Sequence, residues 1–390
     1  LNIDESLSLE EAAQEVHSSI NEAVKWQVYQ KKQIGSTLSG GVDSTYLTSL
    51  GYEHNSNLEA FTYKLADPRL HHLNEDVVAS MVAKAKNIPH HTIAFDFEDF
   101  IADFDLVVEL YEQPGHSLGV YYSILKAAHK LNYKSVLNGL AADELYGGFH
   151  FFKHLEYWKY LRLFSPFSGL LPDNTHAGID KLKKISKSKD INEYYARAAG
   201  IFNDKELNRL FKHGFKSSII ELQKRAYNPK NIQFKDHTSG LMHYMFSNCP
   251  NHHLYRFTTA AHYFGIEPLY PFLDNNVIET AFSIPSKWKV QGHKRKIVLK
   301  KVALPYSVKE AMTEAKKGVG APVTDWINNK LSSRKEAALN KLAKRDLFDE
   351  DYLEQVVKKY PSKYGKKVWK LVMIELWLEK FIDDSMHYSK

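Results

Sequence analysis

Thr37-Leu38-Ser39-Gly40-Gly41-Val42-Asp43-Ser44-Thr45-Tyr46-Leu47 decides the reading of this chain. It follows a short apolar run, Ile34 to Leu38, that reads as a strand, and it opens a helical pattern. Two glycines let the backbone approach a phosphate closely, and successive amides of such a turn point inward as an anion-binding nest. The next helix offers its N-terminal amides to the same anion. Ser39 and Ser44 add hydroxyl donors, and Asp43 is a hard oxygen ligand suited to a small divalent cation. The Gly-Lys-Ser/Thr ending of the Walker loop is missing.

Working outward, Ser8 and Glu11 form a capping-box pattern ahead of Ala13, Val16, Ile20 and Val24, which share one helical face. Downstream, Leu58–Tyr63 predicts a second strand, about 75–86 a helix, and the run ending near Phe95 a third strand. A helix follows over about 117–131, and then the strand Lys134-Ser-Val-Leu-Asn-Gly139. Strands alternating with helices predict an α/β fold, a parallel sheet with helices on both faces, over residues 1–150. Ligands of such sheets bind beyond the carboxyl ends of the strands. The turns at Gly40 and Gly139 both follow strands, so they belong to one site. Residues 151–390 read as a mostly helical region that contributes loops to that site, Glu267–Asn276 and Glu314–Val323 among them, and that closes on a strongly apolar helix.

Composition is that of an ordinary globular chain: 390 residues, 44% hydrophobic and 25% charged. A single cysteine, Cys249, excludes an internal disulfide and a multi-thiolate zinc site, which fits a reducing, cytoplasmic setting. No apolar stretch approaches membrane-spanning length, and the start carries no signal-peptide pattern. Because the chain opens at Leu1, it reads as processed, tagged or cut from something longer. The net charge of +6, with a pI near 8.9, comes without an aromatic-interleaved basic repeat, so a nucleic-acid partner is not expected. A homo-oligomer stays open.

The loop resembles that of the PP-loop ATP pyrophosphatases, whose SGGxDS signature is present letter for letter. Chance would supply five specified letters in about one in ten thousand chains of this length. The second turn, Leu137-Asn-Gly-Leu-Ala-Ala-Asp-Glu-Leu-Tyr-Gly-Gly-Phe149, is similar to SGEGxDELFGGY of the asparagine synthetase family. The stretch ending in Pro271-Phe-Leu-Asp274 and the lysine segments around Lys296 and Lys316 follow in family order, from about residue 10 to 385.

The resemblance implies an ATP-dependent, AMP-forming carbon–nitrogen ligase that activates a carboxylate. Leu38 and Tyr63 would offer backbone groups to adenosine, and Asn138-Gly139 would close over the nucleotide. Pyrophosphate would lie in Ser39, Gly40, Gly41, Asp43 and Ser44, with Asp43 and Asp143 on Mg²⁺. Lys296, Lys316 and Glu144 match catalytic positions. Such cations meet charge that spreads as the adenylate forms, although alone Lys316-Lys317 reads as a solvated pair.

Three departures alter the acceptor side. The N-terminal cysteine of the family's glutaminase domain is absent, so ammonia, a separate ammonia-supplying subunit or an amine on the substrate would provide nitrogen. Leu140 replaces a glutamate that resembles a general base, and Thr258-Thr259 replaces Asp-Arg. Glu112 and His116 match a loop by the active site and are candidates to replace the base. Rival readings are a β-lactam-synthetase-like or peptide-cyclising enzyme, a non-catalytic nucleotide-binding protein, and a tRNA-modifying PP-loop enzyme. The pairs His71-His72, His90-His91 and His252-His253 lack helical ligand spacing and read as surface or packing histidines. Cys249 has no motif to support a nucleophile's role.

Overall fold

The structure, a computed structural model, describes residues 3–95, 97–115, 118–155, 157–163, 165–166, 177–215, 217–219, 221–222, 234–313, 323–359 and 365–383. Two compact units are distinguished, each made of three chain segments: 1–96, 123–191 and 229–318 form the first, and 97–122, 192–228 and 319–390 the second. The sequence expectation drew one boundary, near residue 150. Periodicity along a chain does not register which segments fold back upon one another.

The first unit holds a five-stranded, wholly parallel sheet. Its strands are β1 (Ile34–Thr37), β2 (Leu58–Leu65), β3 (His90–Phe95), β4 (Ser135–Leu137) and β5 (Glu267–Leu269), in the order β3-β2-β1-β4-β5. Helix α1 (Leu9–Val28) starts at the expected capping box: Ser8 Oγ accepts from Glu11 N–H, and Glu11 accepts from Ser8 N–H at 2.8 Å. Its apolar stripe, Ala12 to Val28, packs on α2 (Val42–His54) and on the helices Asn275–Ser283 and Ile297–Ala303. Helix α2 shows almost no polar face, because it is covered on nearly every side: nine of its residues, Val42–Thr45's Asp43 and Thr45 among them, are buried.

The chain steps β1–α2–β2, then through α3 (Asp76–Ala85) to β3, moving always to one side. It then jumps back past β1 to β4. Right-handed crossovers place α2 and α3 on one face and Ser123–Lys130, which leads into β4, on the other. The reversal makes the carboxyl ends of β1 and β4 the topological switch point of the sheet, the place where open parallel sheets bind ligands.

One expectation is corrected. Glu267–Leu269 was read as loop, yet it is β5, pairing Ser135↔Glu267, Val136↔Pro268 and Leu137↔Leu269. Three residues containing a proline carry no period, and only an edge position tolerates Pro268, whose missing N–H then faces away from the ladder. Its register is held from outside: Glu267 accepts from Ser135 Oγ at 3.0 Å and pairs with Lys31 at 2.5 Å.

The second unit is helical among its described residues. Phe97, Phe100, Phe104, Trp326 and Trp369 stack at centroid distances of 5.2–5.8 Å. The expected closing helix runs Gly365–Leu378. Buried Glu375 takes a bidentate pair from Arg345 (Nε–Oε2 2.6 Å, Nη2–Oε1 2.9 Å), and Asp383 takes a second. No described helix is long and apolar enough to cross a membrane.

Candidate active site

After Thr37, β1 leaves the sheet and the chain turns through Ser39-Gly40-Gly41. Gly40 has φ +73°, and a Cβ there would stand 2.9 Å from Val78 Cβ, so α3 packs directly on the turn. The turn is braced internally. Ser39 N–H donates to Ser44 Oγ at 3.1 Å, the two hydroxyls lie 3.0 Å apart, and Ser44 Oγ is 3.2 Å from Gly41 O. Gly41 then caps α2, whose first turn carries Asp43, 5% exposed.

Beside it, β4 ends at Leu137. Asn138 ties the two strand ends together: its amide nitrogen donates to Thr37 Oγ1 at 3.1 Å, and its Oδ1 accepts from Leu140 N–H at 2.9 Å. Gly139 lies against Asp43, where a Cβ would stand 3.4 Å from Asp43 Cβ. A helical turn, Ala142–Tyr146, follows, bracketed by left-handed residues Ala141 (φ 75°) and Gly147 (φ 71°). It presents Asp143. Glu144, 4% exposed, lies against the Cys249 thiol. Burial, and then the Glu144 charge, push that thiol far above the ordinary range. A thiol so held is inert.

The third side chain arrives from far along the sequence. Val290–Gln291 and Lys294–Arg295 pair as a hairpin across Gly292-His293, with Gly292 at φ 56° as a tight two-residue turn prefers. Lys296 follows in the left-handed region (φ 53°), a strained position for a lysine, and caps the helix Ile297–Ala303. Its Nζ lies 2.7 and 2.5 Å from Asp43 Oδ1 and Oδ2 and also pairs with Asp143 Oδ1. Lysine and Asp43 are both nearly dry, at 9% and 7% side-chain exposure, while Asp143 is more open at 22%. Two carboxylates thus converge on one positive centre at the switch point of the sheet.

Two glycines that the sequence reading did not single out make this convergence possible. A Cβ on Gly148 would stand 1.7 Å from Asp143 Oδ1 and 2.3 Å from Lys296 Cε. On Gly147 it would meet Val290 at 2.3 Å and Met242 at 2.8 Å. Arg295 donates to the Gly148 carbonyl, fastening the hairpin to the same turn. The Gly-Gly of the second motif was the available signal.

On the other side of β1, Phe61 C=O accepts from Leu38 N–H at 3.0 Å. Alternation along a parallel strand therefore aims the N–H and C=O of Tyr63 to that same side, beyond the last β1–β2 pair, Thr37↔Phe61. The Tyr63 ring is edge-on to Phe95 at 5.5 Å, and burial raises its phenol pKa.

Among the expected site residues, Leu38, Ser39, Gly40, Gly41, Asp43, Ser44, Asn138, Gly139, Asp143 and Lys296 gather around the ends of β1 and β4. Tyr63 lies on neighbouring β2 and Glu144 beside Cys249. Lys316 and Lys317 lie outside the described residues, as does His116. Glu112 belongs to the second unit, where its carbonyl accepts from Trp377 Nε1 at 2.9 Å. Among the described residues no group of three or more His, Cys, Asp or Glu could hold a metal alone.

Comparison with known proteins matches residues 15–379 to the family described as Asparagine synthase. The chain is 21% identical over 374 residues to "Asparagine synthetase [glutamine-hydrolyzing] 1" of Bacillus subtilis (strain 168), covering 93% of this chain and 58% of that protein. It is 22% identical over 387 residues to a "Putative asparagine synthetase [glutamine-hydrolyzing]" of Mycobacterium bovis and to its counterpart in Mycobacterium tuberculosis, covering 95% of this chain and 58% of each of those proteins. The chain thus spans under two thirds of the length of these relatives. Since the family match runs through the Ser39–Ser44 turn, the second glycine turn and the Lys296 hairpin alike, the chain belongs to the asparagine synthase family.

Proposed function

We propose that the chain is an ATP-dependent amide-forming ligase with a PP-loop nucleotide site. The observation that carries this reading is the convergence of Asp43, Asp143 and Lys296 at the switch point of the sheet, where the braced Ser39–Ser44 turn ends. The turn would cradle pyrophosphate, with Leu38, Tyr63, Asn138 and Gly139 against adenosine. The donor set suits Mg²⁺: hard carboxylate oxygens already gathered round one cationic centre, with phosphate and water left to complete the shell. Asp43 and Asp143 would hold it, and it would neutralise charge on the phosphates. Lys296 would then face the phosphates, and Glu144 and Lys316 are assigned to the same site.

In the reaction a carboxylate oxygen attacks the α-phosphorus, the bond to the bridging oxygen breaks, and pyrophosphate leaves. A nitrogen then attacks the acyl carbon, gives up a proton, and AMP departs. Leu140 has no titratable group, so it takes no proton from the nitrogen. That observation favours a second reading, in which the amine is carried by a dedicated substrate, over aspartate with free ammonia.

The test is a nucleotide-product assay with ATP, Mg²⁺, ammonium and a panel of carboxylates including aspartate. Carboxylate-dependent AMP and pyrophosphate, lost in Asp43→Asn, are expected. ADP and phosphate, or no turnover with any acid or amine offered, would sink the reading. Asparagine made from aspartate at ordinary rates would remove the basis of the second one.

A further inference from the structure

His90 was set aside in the sequence as a surface or packing residue, yet it heads a directional hydrogen-bond chain that ends at the proposed nucleotide site. Thr62 Oγ1 lies 2.5 Å from Leu38 C=O and 2.7 Å from His90 Nε2, and Ser80 Oγ lies 3.4 Å from His90 Nδ1. Thr62 is 4% exposed and Leu38 2%.

The polarity of this chain follows from proton counting. A carbonyl can only accept, and a hydroxyl carries one proton. Thr62 must spend that proton on Leu38, so toward His90 it can only accept. His90 Nε2 therefore bears the hydrogen. In the neutral ring Nδ1 is then bare and accepts from Ser80. Burial, with a smaller contribution from His91, lowers the His90 pKa and so favours the neutral ring.

The position of the clamp gives it meaning. Leu38 is the first residue past β1, and its N–H is already spent on Phe61 C=O. The next rung of a parallel ladder would bind Leu38 C=O to Tyr63 N–H. Thr62 satisfies that carbonyl from the side instead, at the place where the strands part.

We infer that Thr62 and His90 are positioning residues for nucleotide binding: by clamping the Leu38 carbonyl they hold the β1–β2 fork open, so that Tyr63 presents its backbone to adenosine. This rests on the proposed adenosine site at Leu38 and Tyr63. Neither residue belongs to the Ser39–Ser44 turn or is hydrogen-bonded to its bracing hydroxyls, so the effect belongs to the nucleoside half alone.

The experiment measures Kd for ATP and for inorganic pyrophosphate, each with Mg²⁺, in wild type, Thr62→Val, Thr62→Ser, His90→Leu and His90→Gln. Loss of one such hydrogen bond predicts ATP binding about tenfold weaker in Thr62→Val, with pyrophosphate binding unchanged. Thr62→Ser should restore it, and His90→Gln, which keeps an N–H donor, should exceed His90→Leu. In turnover the loss should fall on KM for ATP and spare kcat. Wild-type affinity in Thr62→Val would overturn the inference, and so would equal loss of ATP and pyrophosphate, which marks general damage to the loop. A wild-type protein that binds pyrophosphate but no ATP would instead refute the adenosine site itself.

Discussion

Replacing Lys296 by methionine removes the one charge while keeping much of the stem's volume. Its Nζ lies 2.5 Å from Asp43 Oδ2 and pairs with Asp143 as well, and both Lys296 and Asp43 are more than nine-tenths buried. At an effective dielectric near 20, one such pair carries a gross attraction of roughly 6 kcal/mol. Desolvation offsets much of this, so the net value of the intact pair is small. Breaking it is different, because two carboxylates are left facing each other with Asp43 out of water. Removal of one partner of a buried pair costs about 3–5 kcal/mol. With a urea slope of about 3 kcal/mol per molar, the midpoint of the first unit's transition should fall by more than about 1 M. Asp43→Asn added to Lys296→Met should recover part of the loss, because it takes away one of the two like charges. Mg²⁺ should stabilise Lys296→Met more than wild type, since the Lys296 ammonium no longer competes with it for the two aspartates. Urea titrations of the three proteins, with and without Mg²⁺, check this. An unchanged midpoint in Lys296→Met, or a double variant no more stable than the single one, would refute the reasoning.

Gly148→Ala would drive a methyl into Asp143 and the Lys296 stem, at 1.7 and 2.3 Å. Displacing that carboxylate by about 1 Å predicts a roughly hundredfold loss of AMP formation, with circular dichroism close to wild type. Lys289, 3% exposed with its ammonium 5.7 Å from the Phe282 ring centroid, has its pKa pushed down to about 7 by burial, against the pull of Asp236. Below pH 7 it is charged in both states and the folded protein bears the whole cost. From 7 to the ordinary lysine value near 10.5 the unfolded chain binds the extra proton, so stability rises with pH, by at most ~1.4 kcal/mol per unit. Denaturation at pH 7 and 9 should show that rise in wild type and lose it in Lys289→Met. Arg345→Met strands Glu375, whose side chain is 1% exposed, and should destabilise the second unit by about 3–5 kcal/mol. Urea unfolding checks it, with Arg345→Lys expected to recover only part.

The elements with strong local signatures were legible in the sequence. The capping box at Ser8 and Glu11, the strand–glycine–helix turn at Ser39–Ser44 and the closing apolar helix depend on neighbours within a few residues, and periodicity records such neighbours directly. Asp43 and Asp143 were legible for the same reason, each standing at a fixed offset from its glycine turn. Lys296 drew attention only through the family pattern, because nothing local distinguishes it from the lysines on either side.

What the tertiary structure alone decided is where these pieces meet. β5 has three residues and a proline, and only pairing with β4 makes it a strand. The need for Gly148 appears only once Asp143 and Lys296, 153 positions apart, close on the same space. The clamp from His90 through Thr62 to Leu38 exists only because β1, β2 and β3 lie side by side in register. By itself the sequence determined which residues carry charge and which turns leave the backbone free to bend sharply, since these follow from side-chain chemistry and backbone freedom. Distances between remote groups follow from packing, which forms only when the whole core condenses.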